Sequence, residues 1–436
     1  MRPQHPNQKQ GFNAASVYSV HDIDSVNVFN GNLTVSVPLG PEFPLADGFS
    51  YRLRLHSNGN FWESEVEDDA MVTDPEAKGL RDVASTVVGC DSSDGYTVAH
   101  PHRRANVGLG WIVTLGRLYP WQSSLVGGWT YESPDGADHR FYDSIRPGTA
   151  GAAGAMYTRD GSYLRLTVNE TIGRATLEFP DGTYHTFAEG DSAEAPWLPI
   201  EFAHRRSTHK LTISYPTTTQ WVLTDSHGRS HEVNLAPLTW EGGKRLLVTS
   251  VKLMAFTPEG AQQRWATYSL AYEQHSGLPR PPWHEPCLVA WPNKVTIQKL
   301  KSVTFPAGGG EGTFQYGFAY DTGAMQSPGV LSKATLPTGG SVSWEWRTWQ
   351  KPTLSAADGS EYLAESWGVW KRRLSRPGQA THDAEWKYEG YVDGDYDDET
   401  SQSSRELHTE VVDPYNRTTL HFFVASPLDG TTDGVA

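Results

Sequence analysis

The chain has 436 residues, with 51 Asp and Glu against 36 Lys and Arg and a formal net charge of −15, a balance that argues against nucleic acid or anionic lipid as a partner. Its 42 Gly and 28 Pro lie between strand-like runs, and 16 Trp, 19 Tyr and 15 Phe accompany them. This composition excludes a helical protein and suits one large β architecture or two to three domains.

No run approaches the roughly 18–20 apolar residues of a membrane span. Two cysteines, Cys90 and Cys287, are too few for a disulfide scaffold. Two buried free thiols are the favoured state, with one bond between them as the alternative. Residues 1–20 are polar, lack the apolar centre of a secretory signal, and are expected to form a disordered tail.

Residues 26–39 alternate about Asn30-Gly31, a good hairpin dipeptide, and residues 49–56 follow as a second period-two strand. Residues 63–94 are acidic and poorly patterned and read as an inserted surface loop. After Gly108-x-Gly110-Trp111 comes Ser133-Pro134-Asp135-Gly136, then three strands within residues 163–187, the last two joined by Pro180-Asp181-Gly182. Asp and Gly supply a turn's local hydrogen bond and its positive-φ position, so these are hairpins. Variants recur at Asp225-Ser226-His227-Gly228-Arg229 and Leu336-Pro337-Thr338-Gly339-Gly340.

Further strands are expected within 210–224, 246–256, 265–272, 295–305, 313–320 and 342–349. Residues 277–292 are Pro-rich and read as a long crossing loop. Beyond Lys351 the regularity falters, with polar loops expected at 355–361 and 372–383. Strands resume at 385–392 and 407–424, the latter a hairpin turned by Asp413-Pro414-Tyr415-Asn416. No amphipathic helix of three turns is legible. The expected fold is all-β: consecutive antiparallel hairpins in a large curved sheet, with few short helices. The expected division is a tail at 1–20, a hairpin region at 21–350 and further hairpins at 351–436.

Catalytic signatures are lacking. His231-Glu232 and His284-Glu285 each lack the second His of a zinc-protease helix, and Pro286-Cys287 lacks the second Cys of a deaminase. No nucleophile elbow and no phosphate-binding loop occurs. Asp393, Asp395 and Asp397 have the spacing of the first calcium ligands of an EF-hand loop, but Asp398 replaces the turn Gly and Ser404 the bidentate Glu, so a solvated acidic loop is favoured. Trp344, Trp346 and Tyr362 offer a sugar-stacking reading, against which core packing is the commoner fate of alternating aromatics. A carbohydrate-binding or carbohydrate-active β protein therefore stands as the alternative, because paired carboxylates far apart in sequence leave no local signature.

The order of the motifs resembles the N-terminal, pre-repeat part of RHS/YD-repeat proteins, a large bacterial family related to insecticidal Tc-toxin shells and to teneurins. Val26-Asn27-Val28-Phe29-Asn30-Gly31-Asn32-Leu33 is similar to the family's opening strand. Residues 53–58 stand where an Arg-x-Tyr-Asn-Ser strand is common, though Tyr is missing, and Gly108-x-Gly110-Trp111 follows in the family's order. Asp135-Gly136, Asp181-Gly182 and Asp225 to Arg229 are similar to its hairpin turns. Residues 316–321 are a degenerate Tyr-Asp strand end, and Asp413-Pro414 opens a segment like the one preceding the regular repeats. No regular YD array and no C-terminal self-cleaving core is visible. The resemblance implies a β-shell that encapsulates and helps deliver a C-terminal effector or toxin, with no catalysis in this segment and no cofactor. Its implied partners are the remainder of a longer chain, secretion-apparatus proteins and toxin-complex proteins, and its implied location is secreted or cell-surface. A cargo-free surface adhesin shares the same fold.

Overall fold

A computed structural model describes residues 18–21, 23–46, 48–67, 96–120, 128–146, 148–149, 151–193, 195–241, 243–256, 263–279, 294–306, 314–323, 328–354, 361–379, 381–392 and 406–424. The chain is all-β. Among the described residues the only helical element is a single 3-10 turn, Glu170–Ile172.

The first 112 residues supply two small sheets. Tyr18–Val20, Asp24–Asn27, Leu33–Ala46, Phe49–Asn58 and Trp111–Ile112 form a five-stranded antiparallel sheet. Its second hairpin turns through Val28 to Asn32 instead of through two residues, with Gly31 N–H bonded to Asn27 O at 2.7 Å. Tyr18–Val20 belongs to this sheet, so the tail expected over 1–20 is corrected at its C-terminal end. Trp62–Glu67 pairs with Tyr96–Pro101 as a two-stranded ribbon. The loop expected from residue 63 therefore starts with strand: four carboxylate and hydroxyl side chains mask an alternation carried by Trp62 and Val66 alone.

From Arg117–Tyr119 to Thr418–Val424, twenty-one strands form one antiparallel sheet in which each strand pairs with its neighbours in the chain. The first eight, Arg117–Tyr119 through Leu198–His204, curl into a ring. Leu118 and Trp197 close it through reciprocal backbone bonds of 3.0 and 2.7 Å. Inside lie Leu118, Tyr131, Phe141, Leu166, Leu177, Phe187 and Trp197, drawn from nearly every strand of the ring.

Beyond the ring the sheet runs open. No pairing joins Thr418–Val424 back to Arg117–Tyr119, and among the described residues nothing pairs with the outer side of Thr418–Val424.

The open sheet is amphipathic with period two. Leu211, Ile213, Leu223, Val233 and Val251 are buried, while Thr212, Ser214 and Thr224 between them are exposed. The buried face meets the five-stranded sheet. Val26, Val35, Val37, Leu39, Leu53 and Leu55 pack against residues from Phe202 to Val411 in one continuous core. The β-shell that the resemblance implies would leave an inner face towards its contents; over this stretch the buried face is covered by a second sheet instead. The reason is the apolar alternation of Leu33, Val35, Val37 and Leu39, resumed at Phe43 and Leu45 after a register shift, which has no stable fate except against another apolar face.

Several long strands exceed their expected limits. Gln263–Pro279 extends through Gly277 and Pro279 into the expected crossing loop, with Leu278 paired to Val295. Glu361–Ser375 is a strand of 15 residues that runs into both expected polar loops, at residue 361 and over 372–375. It pairs along its length with Ser341–Leu354, so the ladder runs straight across the expected boundary at 350/351. Arg372 is therefore a strand residue and not a loop residue.

Candidate functional site: the contact between the two sheets

Five hairpins of the long sheet share one turn. In each, the first residue's N–H donates to the carbonyl four residues on, and the fourth residue's N–H donates back to the first carbonyl. The pairs are Ser133 with Ala137 and Gly136, Phe179 with Thr183 and Gly182, Asp225 with Arg229 and Gly228, Leu336 with Gly340 and Gly339, and Asp413 with Arg417 and Asn416. The fourth residue has φ of +86°, +91°, +79°, +85° and +58° respectively. This is a type I turn closed by a left-handed residue in a G1 bulge. Asp135 and Asp181 each accept an N–H from the residue two positions on, at 3.4 and 2.8 Å.

The Asp225 and Asp413 turns match in their side chains too. Asp225 Oδ1 accepts the N–H groups of His227 and Arg229, and Arg229 Nε donates to Oδ2 at 2.5 Å. Asp413 Oδ1 accepts from Tyr415 and Arg417, and Arg417 Nε donates to Oδ2 at 2.6 Å, with Pro414 in the turn's second position. Their surroundings differ. Arg417 is 75% exposed, whereas Arg229 is 12% exposed and also donates to Pro44 O at 2.6 Å. His227 Nε2 donates to Leu45 O at 2.8 Å. One turn faces solvent; its twin grips the tip of the hairpin made by Leu33–Ala46 and Phe49–Asn58.

Behind that grip lies a chain of three side chains. Tyr51 Oη lies 2.8 Å from Asp225 Oδ2 and 2.8 Å from His231 Nε2. Burial raises the Tyr51 phenol far above its ordinary range, reinforced by the hydrogen bond to Asp225. Burial also pushes the His231 imidazole down to about 4. For Asp225 burial works upward, but hydrogen bonds from Tyr51 and Arg229 outweigh it and hold the carboxyl below its usual value. The trio has the composition of a proton relay, but every member is enclosed and each is bonded to the next, so it has the chemistry of a structural tie.

A second tie stands at the far end of the interface. Arg372 Nε and Nη2 donate to the two oxygens of Asp24 at 2.7 and 2.9 Å, and Trp344 Nε1 donates to Asp24 Oδ2 at 3.0 Å. Asp24 and Arg372 are each 3% exposed. Trp344 thus lies in the core with its polar edge satisfied, not on a sugar-binding surface. Trp346 is partly buried and donates to Leu331 O at 2.9 Å; the side chain of Tyr362 lies outside the described residues.

The Gly108-x-Gly110-Trp111 segment makes the third tie. Leu109 N–H donates to Gln298 O at 2.9 Å, and a Cβ on Gly108 would stand 2.9 Å from both Gln298 O and Leu300 N. With φ of +91° besides, only Gly fits this close approach. Gly110 O accepts from Asn58 N–H, and buried Trp111 donates through Nε1 to Tyr320 Oη at 2.9 Å. Gly31 and Asn32 belong to the same interface. Gly31 O accepts from Val369 N–H at 2.8 Å, and Asn32 Nδ2 donates to Asn58 Oδ1 at 2.9 Å.

The motif residues singled out in the sequence therefore divide. Gly31, Asn32, Gly108, Gly110, Trp111, Asp225, Gly228 and Arg229 lie on or beside the contact between the sheets. Asp181, Gly182, Asp413 and Pro414 sit at hairpin ends away from it, whereas the Asp135-Gly136 turn is partly enclosed, with Asp135 close enough to act on buried His56 of Phe49–Asn58. Sequence reasoning missed Asp24, Tyr51, His231 and Arg372, whose partners lie 174 to 348 residues away. Asp393, Asp395 and Asp397, with Cys90 and Cys287, lie outside the described residues. Among the described residues no three His, Cys, Asp or Glu side chains come together as a metal site, and no helix is long and apolar enough to cross a membrane.

No family model and no curated protein matches this chain. Among solved structures, the crystal structure of TcdB2-TccC3 aligns with a TM-score of 0.33 at 12% identity, over 97% of this chain and 23% of that one. TcdB2-TccC3-TEV gives 0.26 at 12% identity, over 95% and 20%. A porin-like protein from Bacteroides uniformis gives 0.24 at 12% identity, over 71% of this chain and 96% of its own. Likenesses this slight carry no argument here. The chain spans less than a quarter of the length of either TcdB2-TccC3 chain.

Proposed function

We propose that this chain is a wall segment of an RHS/YD-repeat-type shell, a structural and non-catalytic part of a larger toxin-like protein that encloses an effector and helps deliver it outside the cell. The observation that carries the reading is the ladder itself: twenty-one strands in chain order, with one hairpin turn used five times. A sheet whose every strand pairs with its sequence neighbour can be lengthened hairpin by hairpin, and each added hairpin buries its face only by stacking on the last. That is the construction a shell needs. In this reading the five-stranded sheet is a backing layer that stiffens the wall where it leaves the eight-stranded ring.

Among the described residues, nothing in the geometry favours the carbohydrate alternative. The exposed large aromatics among the described residues are Tyr163, Phe314, Tyr415 and Phe422. They belong to turns, to strand approaches and to the last strand.

The test is cryo-electron microscopy of the product of the full reading frame that contains this chain, together with limited proteolysis. The expected result is a sheet continuing from Thr418–Val424 around a chamber that shields a polypeptide from protease. A compact molecule without a chamber, or a shielded segment absent, refutes the proposal.

A further inference from the structure

The tip of the Leu33–Ala46 and Phe49–Asn58 hairpin rests on the Asp225 turn and on the strand Ser230–Trp240 behind it. His231 is fully buried at the centre of that contact. Met254 N–H donates to its Nδ1 at 3.0 Å. A ring nitrogen that accepts carries no proton, so the proton sits on Nε2 and is donated to Tyr51 Oη. Tyr51 Oη then donates to Asp225 Oδ2, and the Phe43 ring lies 4.5 Å from the imidazole.

The charged groups facing the ring are two. Asp225 reaches it through Tyr51, and Arg229 pairs with Asp225 while its guanidinium lies 5.2 Å over Phe43 and 5.9 Å over Tyr51. The carboxylate is thus already neutralised by the arginine. Every hydrogen-bonding position of His231 is filled, and filled for the uncharged ring.

We propose that His231 is an acid-operated latch: neutral, it holds the N-terminal hairpin tip against the long sheet, and protonated, it lets the tip lift away. The second proton has to enter at Nδ1, where Met254 N–H already points, which sets two donors 3.0 Å apart. An imidazolium in this place also needs water, and the covering groups, Tyr51 and Phe43, both belong to the hairpin tip. Lifting the tip hydrates the ring and breaks the contacts from Arg229 to Pro44 and from His227 to Leu45 in the same movement. The ties at Asp24–Arg372 and Trp111–Tyr320 contain no histidine and stay closed, while buried His56, further along Phe49–Asn58 and likewise pushed down to about 4, is a separate acid-sensitive point outside the tip. The movement is local.

With the closed ring held down to about 4 and an open ring at its ordinary 6.5, the opening equilibrium rises about 30-fold between pH 7.5 and pH 5. Hydrogen exchange followed by mass spectrometry, corrected for the intrinsic pH dependence of exchange, reads this directly. Peptides covering residues 40–51 are expected to lose protection about 30-fold at pH 5, while peptides over Val330–Thr335, which contain no histidine, keep theirs. In His231→Gln, whose amide offers an acceptor and a donor but no titration, the tip should exchange alike at both pH values. Three results overturn the proposal: an unchanged tip at pH 5, the same acid response in His231→Gln, or simultaneous opening of Val330–Thr335. Should the variant fail to fold, nitrogen-15 spectra of the unaltered protein decide. The latch requires the Nε2–H tautomer at pH 7.5 and a His231 titration whose midpoint coincides with tip opening. A Nδ1–H tautomer rules it out.

Discussion

Replacing Asp24 by Ala is the sharpest single test of how the two sheets are held. The substitution removes the acceptor of two charge-assisted bonds from Arg372 and one bond from Trp344 Nε1. Arg372 is 3% exposed and packed 4.6 Å over the Trp386 ring, so its guanidinium cannot turn to water without opening the core. Removing one partner of a buried pair costs about 3–5 kcal/mol, because the cost is that of an uncompensated buried charge. Replacing both members by apolar groups removes that charge, so the double variant Asp24→Ala/Arg372→Met should recover most of the loss, to within about 1–2 kcal/mol of the unaltered protein. Urea unfolding followed by tryptophan emission measures the cycle, with exchange protection in Asp24–Asn27 as a local readout. Single variants costing under about 1 kcal/mol, or a double variant equal to the sum of its parts, would refute the argument that a desolvated charge pair ties the sheets.

Gly108→Ala should destabilise by about 2–4 kcal/mol, combining a left-handed backbone with a backbone clash, whereas Gly136→Ala, whose added Cβ meets nothing within 4 Å, should cost only about 1 kcal/mol; thermal midpoints rank the two. Asp225→Ala should lower the midpoint far more than Asp413→Ala, since the first turn holds Pro44 and Leu45 and the second faces water. Equal effects would show that the turn and not the grip matters. His185 is partly buried, its ring stacked on Phe202 with centroids 3.6 Å apart, and this desolvation pushes its imidazole down to about 3. Its folded value lies below the unfolded 6.5, so the unfolded chain binds the proton first and stability falls as pH drops from about 6.5 towards 3, with no change above that window. His185→Phe should flatten this dependence, which urea midpoints at pH 7.5, 5.5 and 4.5 can follow.

Local chemistry was readable from the residues alone. Pro180-Asp181-Gly182 and Asp413-Pro414 announce their turns because all the hydrogen bonds that make them lie within five residues. The same holds for alternating strands such as Arg174–Glu178. Glu361–Ser375 escaped because its register with Ser341–Leu354 shifts at Glu345/Trp346, which breaks the period of two, and because a buried arginine reads as a surface residue until its carboxylate is known. The docking of one sheet on another was not legible at all. Asp24 is one of 51 acidic residues, and nothing near it in sequence marks Arg372 as its partner. Asp225 was legible as a turn-former, but its contact with Tyr51 was not.

The interleaving of short-range and long-range contacts also sets an order of events during synthesis. Hairpins of the long sheet can close as soon as each emerges, since their pairings are nearest-neighbour ones. The five-stranded sheet leaves the ribosome first, yet Tyr51 must wait for a partner 174 residues later and Asp24 for one 348 residues later. At about 5–20 residues per second, that leaves the apolar face of Leu33–Ala46 uncovered for roughly 10–70 seconds. The sheet made earlier is thus the one that waits longest for its partner, and it is where a holding chaperone has most to protect.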